Sequence, residues 1–150
     1  TRKEAKDYID KYFETYPKVK LYEEDAIDFA KENGYVKTMF NRRRIIDELN
    51  SHNYNLKQFG ERVALNMPLQ GTASDIIKLA MIEICKEFEN RELKSKLILQ
   101  IHDELICDVY DGEEEIVKKI LLEKMQNVVK LNIPLIVNIS VGKSLFDAKD

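Results

Sequence analysis

The sequence has little of what marks several common classes of protein. Its two cysteines, Cys85 and Cys107, lie inside apolar runs and lack the spacing of metal ligands, so neither a zinc site nor a disulfide framework is expected. We expect both to be reduced core residues in a reducing compartment. No apolar segment approaches the length of a membrane span, and no signal-peptide pattern opens the chain. These absences predict an intracellular protein, in the cytoplasm or an organelle matrix, that is not secreted and has no membrane contact.

The chain also has no excess of positive charge. Its formal net charge of −3 at pH 7 argues against a uniformly positive surface, so contact with nucleic acid would depend on a local patch. With 150 residues, of which 44% are hydrophobic, it is long enough to bury a core and is most simply one domain. It begins at Thr1 within an amphipathic pattern, which predicts that an N-terminal part has been removed.

Hydrophobic periodicity and turn residues predict an α+β fold with an antiparallel sheet. The predicted elements are helices over 3–16 and 19–32, a hairpin over 34–46 turning at Asn41, a loop over 47–55, a long helix over 56–90 broken or kinked at Pro68, a hairpin over 97–109, a helix after Gly112 and a half-buried strand over 135–141. Aromatic residues on the first two helices are interpreted as core packing rather than as a base-stacking surface. The acidic run 113–115 suits the positive N-terminal end of the helix after Gly112 and is interpreted as structural.

The second hairpin has the clearest functional pattern. Two apolar runs, 97–101 and 105–109, have the length and composition of buried strands, which places His102, Asp103 and Glu104 at the hairpin tip. The turn lacks the glycine that tight hairpins usually need. Adjacent carboxylates held where apolar strands converge repel each other and lose hydration, and a divalent cation offsets both effects. Mg²⁺ fits best, because it takes one or two protein carboxylates and completes its shell with water and phosphate oxygens.

Two other interpretations of this tip compete with the metal site. An Asp-Glu pair chosen at random most often caps an exposed turn, but here the apolar strands on both sides favour the metal site. A His-Asp pair also occurs in metal phosphohydrolases, whose sites need further histidines. Only His52 remains, and it lies in a polar stretch.

A second pattern lies in the first half of the long helix. Arg62, Asn66 and Gln70 recur every four residues and would form one polar row if the helix direction survives Pro68. Periodicity alone is equally consistent with a solvated face. All three side chains are hydrogen-bond donors, however, and the minor groove presents acceptors at equivalent positions for every Watson–Crick pair. A donor row there would check the shape of a pair without reading its sequence, and Gly71 would let the backbone approach closely.

The densest positive charge in the chain is the run Arg42, Arg43 and Arg44 in the first hairpin. Charge runs on a surface are usually only solvated. Arginines at a turn, however, bind phosphates bidentately and keep their charge at any pH, so a phosphate contact is the other interpretation.

These residues carry a resemblance to the family A DNA polymerases, the DNA polymerase I type. The segment 100–105, Gln-Ile-His-Asp-Glu-Leu, resembles the carboxylate motif of that family. Agreement in order and spacing extends over essentially the whole chain, through Tyr12-Phe13, Tyr16-Pro17, Gly34-Tyr35-Val36, Arg42-Arg43-Arg44, Glu61-Arg62, Asn66, Pro68, Gln70-Gly71, Ala73, Asp75-Ile76-Ile77-Lys78, Ala80-Met81, Val141-Gly142 and Ala148-Lys149. The resemblance implies a C-terminal fragment of the polymerase domain, with the end of the fingers and a connecting hairpin over about 1–55 and the palm over about 56–150.

For the hairpin tip, the resemblance implies a catalytic role. Asp103 matches the palm aspartate that binds catalytic Mg²⁺, and Glu104 matches its supporting carboxylate. His102 matches a histidine that lies near the primer terminus.

For the donor row, the resemblance implies contact with DNA. Arg62 and Gln70 match residues that contact the minor groove near the nascent pair, and Asn66 lies on the same row. Arg44 is a weaker candidate for a contact to the primer strand. Asn41 replaces a glycine common in relatives, a substitution that the turn should tolerate.

Two parts of the family pattern are absent from the sequence. These are the first carboxylate motif, an Asp-Tyr-Ser-type stretch, and the fingers helix whose Arg, Lys and Tyr bind the incoming nucleotide. The expected function of the intact protein is template-directed DNA synthesis by a two-metal mechanism, with primer–template DNA and deoxynucleoside triphosphates as partners. The intact protein is expected to be a monomer, and the fragment alone to be inactive. The alternative is a non-catalytic nucleic-acid-binding module that retains the palm fold, which a gel-shift assay paired with primer extension would distinguish.

Overall fold

The computed structural model describes residues 1–148, and the chain divides after Thr72 into two compact units. Lys149, which is part of the resemblance at the end of the sequence, lies outside the described residues. The elements are α1 (Arg2–Thr15), α2 (Pro17–Asn33), β1 (Tyr35–Lys37), β2 (Arg43–Ile45), a 3₁₀ helix (Asp47–Asn50), α3 (Tyr54–Asn90), β3 (Lys96–Ile101), β4 (Glu104–Asp108) and α4 (Glu114–Asn127). The α+β class is confirmed. None of the described helices is both long and apolar enough to cross a membrane.

The first two helices begin and end close to where the sequence predicts. Pro17 occupies the first turn of α2, where its missing N–H leaves no helical bond unmade, and Gly34 ends the helix with φ of 73°. The prediction that the aromatic residues of α1 pack in a core is wrong, because no residue of α1 is buried. Tyr12 instead contacts Tyr16, the residue between α1 and α2, with ring centroids 5.2 Å apart.

The first unit has its core between α2, the first hairpin, the 3₁₀ helix and the start of α3. Five buried residues form it: Ala30, Val36, Ile46, Leu49 and Ala64. The antiparallel pairing of Val36 with Arg44 and the left-handed conformation of Asn41, with φ of 64°, confirm the predicted hairpin and its turn. The predicted loop over 47–55 instead contains the 3₁₀ helix and the first two residues of α3.

Helix α3 runs through Pro68 without interruption, so the break that the sequence allowed is absent and a bend stays a prediction. Proline cannot donate the helical hydrogen bond, and its ring crowds the preceding turn. Two side-chain hydroxyls donate hydrogen bonds to backbone carbonyls of α3 near the proline. The Tyr22 hydroxyl donates to the Leu65 carbonyl at 3.2 Å, and the Thr72 hydroxyl donates to the Pro68 carbonyl at 2.5 Å.

In the second unit, β3 and β4 form the predicted antiparallel hairpin against the second half of α3 and α4. Ile84 and Phe88 of α3 and Val117 and Ile120 of α4 are buried together, and the side chains of Leu105 and Cys107 pack against them. The prediction that the strands are buried is only half right. The helices cover one face, and Ile98 and Leu99 remain 58% and 48% exposed.

Two further predictions for the second unit are wrong. Residues 135–141 form no strand, because their alternating pattern finds no partner strand among the residues that the structure describes. Cys85 is exposed rather than in the core. It follows the buried Ile84 by about 100° around the helix, which turns its side chain away from the apolar face. Cys107 is half-buried and packs against the core, and both thiols are free.

Candidate functional site

The tip of the second hairpin presents two adjacent carboxylates to solvent. Ile101 pairs with Glu104 across the strands, which leaves His102 and Asp103 as a two-residue turn. His102 has φ of 53°, in the left-handed region that residues other than glycine seldom adopt, although histidine, like Asn and Asp, is enriched there. The Gln100 side-chain amide donates to the His102 carbonyl at 2.5 Å. This bond helps to explain how the turn forms without glycine, and His102, Asp103 and Glu104 are all exposed there.

The strand geometry decides which way Glu104 points. Leu105 and Cys107 belong to the face that packs on the helices, and side chains alternate along a strand. Glu104 and Ile106 therefore project from the other face. An irregularity between Leu97 and Leu99 shifts the register of β3, so that Leu99 pairs with Ile106 on that same open face.

The ligands available at this tip limit which cation it can bind. Among residues 1–148, no group of three or more His, Cys, Asp or Glu side chains is arranged to hold a metal ion. A closed structural site, such as the four-ligand cage of zinc, is therefore not built by these residues. Asp103 and Glu104 instead provide oxygen ligands suited to Mg²⁺, which completes its shell with water and substrate phosphates. The donor set fits magnesium shared with a substrate.

The row of Arg62, Asn66 and Gln70 lies along the first half of α3, and all three side chains are exposed. None of them forms a hydrogen bond within the part of the chain that the structure describes. The Arg62 guanidinium lies 6.0 Å from the ring centroid of Phe59, at the outer limit of a cation–π contact. The donors of the row are therefore available to an external acceptor.

Gly71 makes a close approach, but to the chain's own first hairpin. A Cβ atom added at Gly71 would lie 2.7 Å from Cγ2 of Thr38, which is too short for any real contact. From the sequence, the predicted reason for Gly71 is a close approach of its backbone to an external ligand. The structure fills it with the hairpin, and this corrects the predicted reason for the glycine.

The three arginines of the first hairpin have different environments. Arg42 donates from Nη2 to the Gly71 carbonyl at 2.9 Å, and the Arg43 guanidinium lies 4.6 Å from the ring centroid of Tyr35. Arg44 is exposed, and within the described residues its side chain has no hydrogen-bond or ion-pair partner. Of the three, Arg44 is therefore the best placed to bind a phosphate.

The predicted residues fall into two sets. Arg44 and the donor row belong to the first unit, and the carboxylate tip belongs to the second.

The sequence did not predict that Thr72 and Arg42 bond the turn that carries Gln70. The position of Thr72, four residues after Pro68, could have predicted its bond, because serine and threonine in helices often bond the carbonyl four residues back.

Glu113, at the start of α4, is supported as a structural residue. Its carboxylate accepts hydrogen bonds from the backbone N–H of Lys94 at 3.0 Å and of Ser95 at 2.9 Å, and from the Ser95 hydroxyl at 2.5 Å. These bonds hold the pKa of Glu113 below its usual value, and the bond from the Lys94 backbone has the largest effect. The carboxylate thus ties the segment before β3 to α4.

The half-buried thiol of Cys107 lies on the helix-facing side of the same hairpin. Burial raises its pKa to about 11, so the thiol stays protonated near neutral pH. Since the thiolate is the nucleophile and the metal ligand, Cys107 is suited to packing rather than to chemistry.

Comparison with known proteins gives consistent matches over the whole chain. A family model described as DNA polymerase family A matches residues 1–147. The chain is 47% identical over 149 residues to DNA polymerase I of Caldicellulosiruptor bescii, covering 99% of this chain and 18% of that protein. It is also 47% identical over 149 residues to DNA polymerase I of Bacillus subtilis, covering 99% of this chain and 17% of the relative.

A solved structure, described as the POL domain of Pol1 from M. smegmatis in complex with DNA primer-template and dNTP, superposes on the whole chain. Its TM-score is 0.97 at 38% sequence identity, and the match covers 26% of that chain. The present chain thus spans less than a fifth of the length of the two relatives named above.

Proposed function

Because the chain belongs to DNA polymerase family A, we propose that it forms the C-terminal part of a polymerase domain that carries out template-directed DNA synthesis. In this proposal the end of the fingers lies within about residues 1–55, and the palm begins at about residue 56. The observation that carries it is the two-residue turn that presents Asp103 and Glu104 at an exposed tip. We call the protein formed by this chain together with the remainder of the polymerase domain the full-length polymerase.

At the tip, Asp103 and Glu104 are the residues that would hold magnesium. Bound there, the ion would lower the pKa of the primer 3′-hydroxyl and stabilise negative charge on the phosphates. The primer hydroxyl attacks the α-phosphorus of the nucleotide, a new phosphodiester bond forms, pyrophosphate leaves, and the hydroxyl proton passes to solvent. His102, which precedes the two carboxylates, is proposed to lie near the primer terminus. A two-metal mechanism needs a further carboxylate from outside this chain.

On α3, the donor row is proposed to bind DNA. The side chains of Arg62 and Gln70 donate to minor-groove acceptors near the newly formed pair, and Asn66 extends the same row. Arg44, exposed on β2, binds a primer-strand phosphate. The exposure of these donors, and the absence of internal partners for them among the described residues, support this role.

The proposal is tested by Asp103→Asn in the full-length polymerase. This substitution keeps the size of the side chain and removes the anionic ligand, so primer extension should fall by several orders of magnitude while DNA affinity changes little. Glu104→Gln should reduce extension less. Asp108→Asn is the matched control, because Asp108 is an exposed carboxylate at the other end of β4.

The control variant should extend a primer at close to the normal rate. Near-normal extension by the Asp103 variant would mean that the tip is only a turn cap. Loss of DNA binding together with activity would mean that the substitution acts through the structure instead.

A further inference from the structure

The first hairpin holds the turn of α3 that carries Gln70. The Thr72 hydroxyl accepts a hydrogen bond from the Met39 backbone N–H at 3.0 Å and donates to the Pro68 carbonyl at 2.5 Å. Arg42 donates to the Gly71 carbonyl at 2.9 Å. We call the bonds from Met39 to Thr72 and from Arg42 to Gly71 the hairpin contacts. Both fall on the single turn that follows Pro68, which also contains the bond from Thr72 to the Pro68 carbonyl.

This turn needs such support because of the proline. Pro68 has no N–H to bond the Ala64 carbonyl, and a proline within a helix commonly kinks it. The Thr72 hydroxyl adds a bond within the turn and, through Met39, joins the turn to the hairpin. The hairpin contacts therefore hold the backbone of residues 69–72 against the first hairpin.

Gln70 lies in the middle of the restrained turn. Its neighbours Gly71 and Thr72 contact the hairpin, whereas Gln70 and Leu69 are exposed. The side-chain amide of Gln70 has no hydrogen-bond partner in the described part of the chain that would fix its position. Within the chain, the backbone of the turn therefore sets the point from which the Gln70 side chain reaches an acceptor.

We propose that Thr72 is a positioning residue for Gln70, and that its hydroxyl holds the Gln70 amide in register with a minor-groove acceptor. This inference rests on the proposed function, because it takes Gln70 as a donor to the nascent pair. Thr72 itself touches neither DNA nor nucleotide in this mechanism. It acts only through the bonds of its hydroxyl with Met39 and Pro68.

The experiment measures nucleotide incorporation by the full-length polymerase on two templates. One carries natural bases, and the other carries a purine analogue in which the minor-groove N3 acceptor is replaced by C–H. The ratio of kcat/KM on the two templates is the analogue penalty. In the unsubstituted enzyme we expect a penalty of about tenfold, the equivalent of one hydrogen bond of about 1.4 kcal/mol.

Thr72→Val keeps the shape of the side chain but removes the hydroxyl. We expect kcat/KM on natural DNA to fall about tenfold and the analogue penalty to shrink towards one, because the Gln70 amide no longer meets the acceptor. Thr72→Ser retains the hydroxyl and should recover most of both values. The matched control is Thr15→Val, since the Thr15 hydroxyl also bonds a helix carbonyl four residues back, that of Lys11 at 2.8 Å, on the exposed α1.

The outcomes separate the two proposals. If the unsubstituted enzyme shows no analogue penalty, the proposed contact between Gln70 and the minor groove is wrong, and the inference about Thr72 falls with it. If the penalty is present and Thr72→Val keeps it in full, the contact stands and Thr72 does not position Gln70. Should Thr72→Val fail to fold, Thr72→Ala is measured with the same expectations. A variant that loses stability but keeps the full penalty counts against positioning.

Discussion

At the scale of single residues, Glu113 shows how a carboxylate can be held by the fold rather than by a ligand. Its bonds to Lys94 and Ser95 lower its pKa from the usual value of 4.5. The Ser95 hydroxyl also accepts from the Tyr110 backbone N–H at 3.0 Å, which adds the end of the hairpin to the same network. The network thus joins both ends of the second hairpin to α4.

The first prediction concerns the pH dependence of this network. Because the folded-state pKa of Glu113 is depressed, its carboxylate stabilises the fold above the unfolded value of 4.5, and this contribution is lost as the pH falls through the folded value. Glu113→Gln should therefore lower the thermal unfolding midpoint of the full-length polymerase near pH 7, and the difference should shrink below about pH 4.5. Glu89→Gln is the control, since Glu89 is an exposed carboxylate on α3. Equal effects of both variants at every pH would contradict a specific role for Glu113.

The second prediction concerns Gln70, the residue with the sharpest proposed contact. Gln70→Ala in the full-length polymerase should lose roughly 1–3 kcal/mol of transition-state stabilisation, because a buried minor-groove acceptor is left unpaired. The loss should fall on incorporation and on extension from mismatched ends, and should depend little on which correct pair is present. Gln58→Ala is the control, because the Gln58 amide already donates to the Tyr54 hydroxyl on the same helix.

The acceptor-lacking purine analogue gives the decisive comparison for Gln70. It should reproduce the defect in the unsubstituted enzyme and add little to the defect of Gln70→Ala. Fully additive losses would show that Gln70 does not touch that acceptor, and the row would then be a solvated helix face.

At the scale of elements, the packing of the first hairpin on α3 depends on Gly71. The Thr38 hydroxyl accepts from the backbone N–H of Phe40 and of Arg42 and so shapes the turn, while its methyl group lies against Gly71. Only a residue without a side chain leaves room for that methyl group.

The third prediction tests this packing. Gly71→Ala would place a Cβ atom 2.7 Å from Cγ2 of Thr38, so the hairpin must shift. We expect a loss of about 1–3 kcal/mol in the free energy of unfolding, as for other overpacked sites. Thr38→Ser removes the methyl group and keeps the hydroxyl, so the double variant should recover part of the loss. Stability of the double variant equal to the sum of the two single effects would show that this contact is not the cause.

At the scale of the whole molecule, the chain holds only part of what the proposed reaction needs. The first carboxylate motif and the nucleotide-binding helix of the family are absent from its sequence. In the function we propose, Asp103 and Glu104 would supply one side of a metal site, and the two-metal mechanism would take a further carboxylate from a separate strand.

The fourth prediction follows from this incomplete site. The 150-residue chain, purified alone, should not extend a primer with Mg²⁺ and all four nucleotides, whereas the full-length polymerase should do so. Primer extension followed on a denaturing gel, with circular dichroism to verify that the chain is folded, provides the measurement. Robust extension by the folded chain would mean that the active site needs less than we propose.

The sequence by itself determined the local features of this protein. Periodic apolar residues predicted the helices, Asn41 predicted the turn of the first hairpin, and the apolar runs around His102, Asp103 and Glu104 predicted the second hairpin and its tip. These features depend on neighbours within a few residues, so their signal lies in the order of the side chains. The resemblance to family A polymerases, which the comparisons confirmed, also needed only the order and spacing of residues.

Only the tertiary structure decided which residues meet across the chain. It showed that Gly71 leaves room for the Thr38 methyl group and that Thr72 joins α3 to the first hairpin. It also showed that Arg42 bonds the Gly71 carbonyl and that Arg43 lies over the Tyr35 ring. It also showed that 135–141 finds no strand partner among the described residues, although the residues alternate as a strand would. The physical reason is that strand pairing and close packing depend on partners distant in sequence, which local periodicity does not specify.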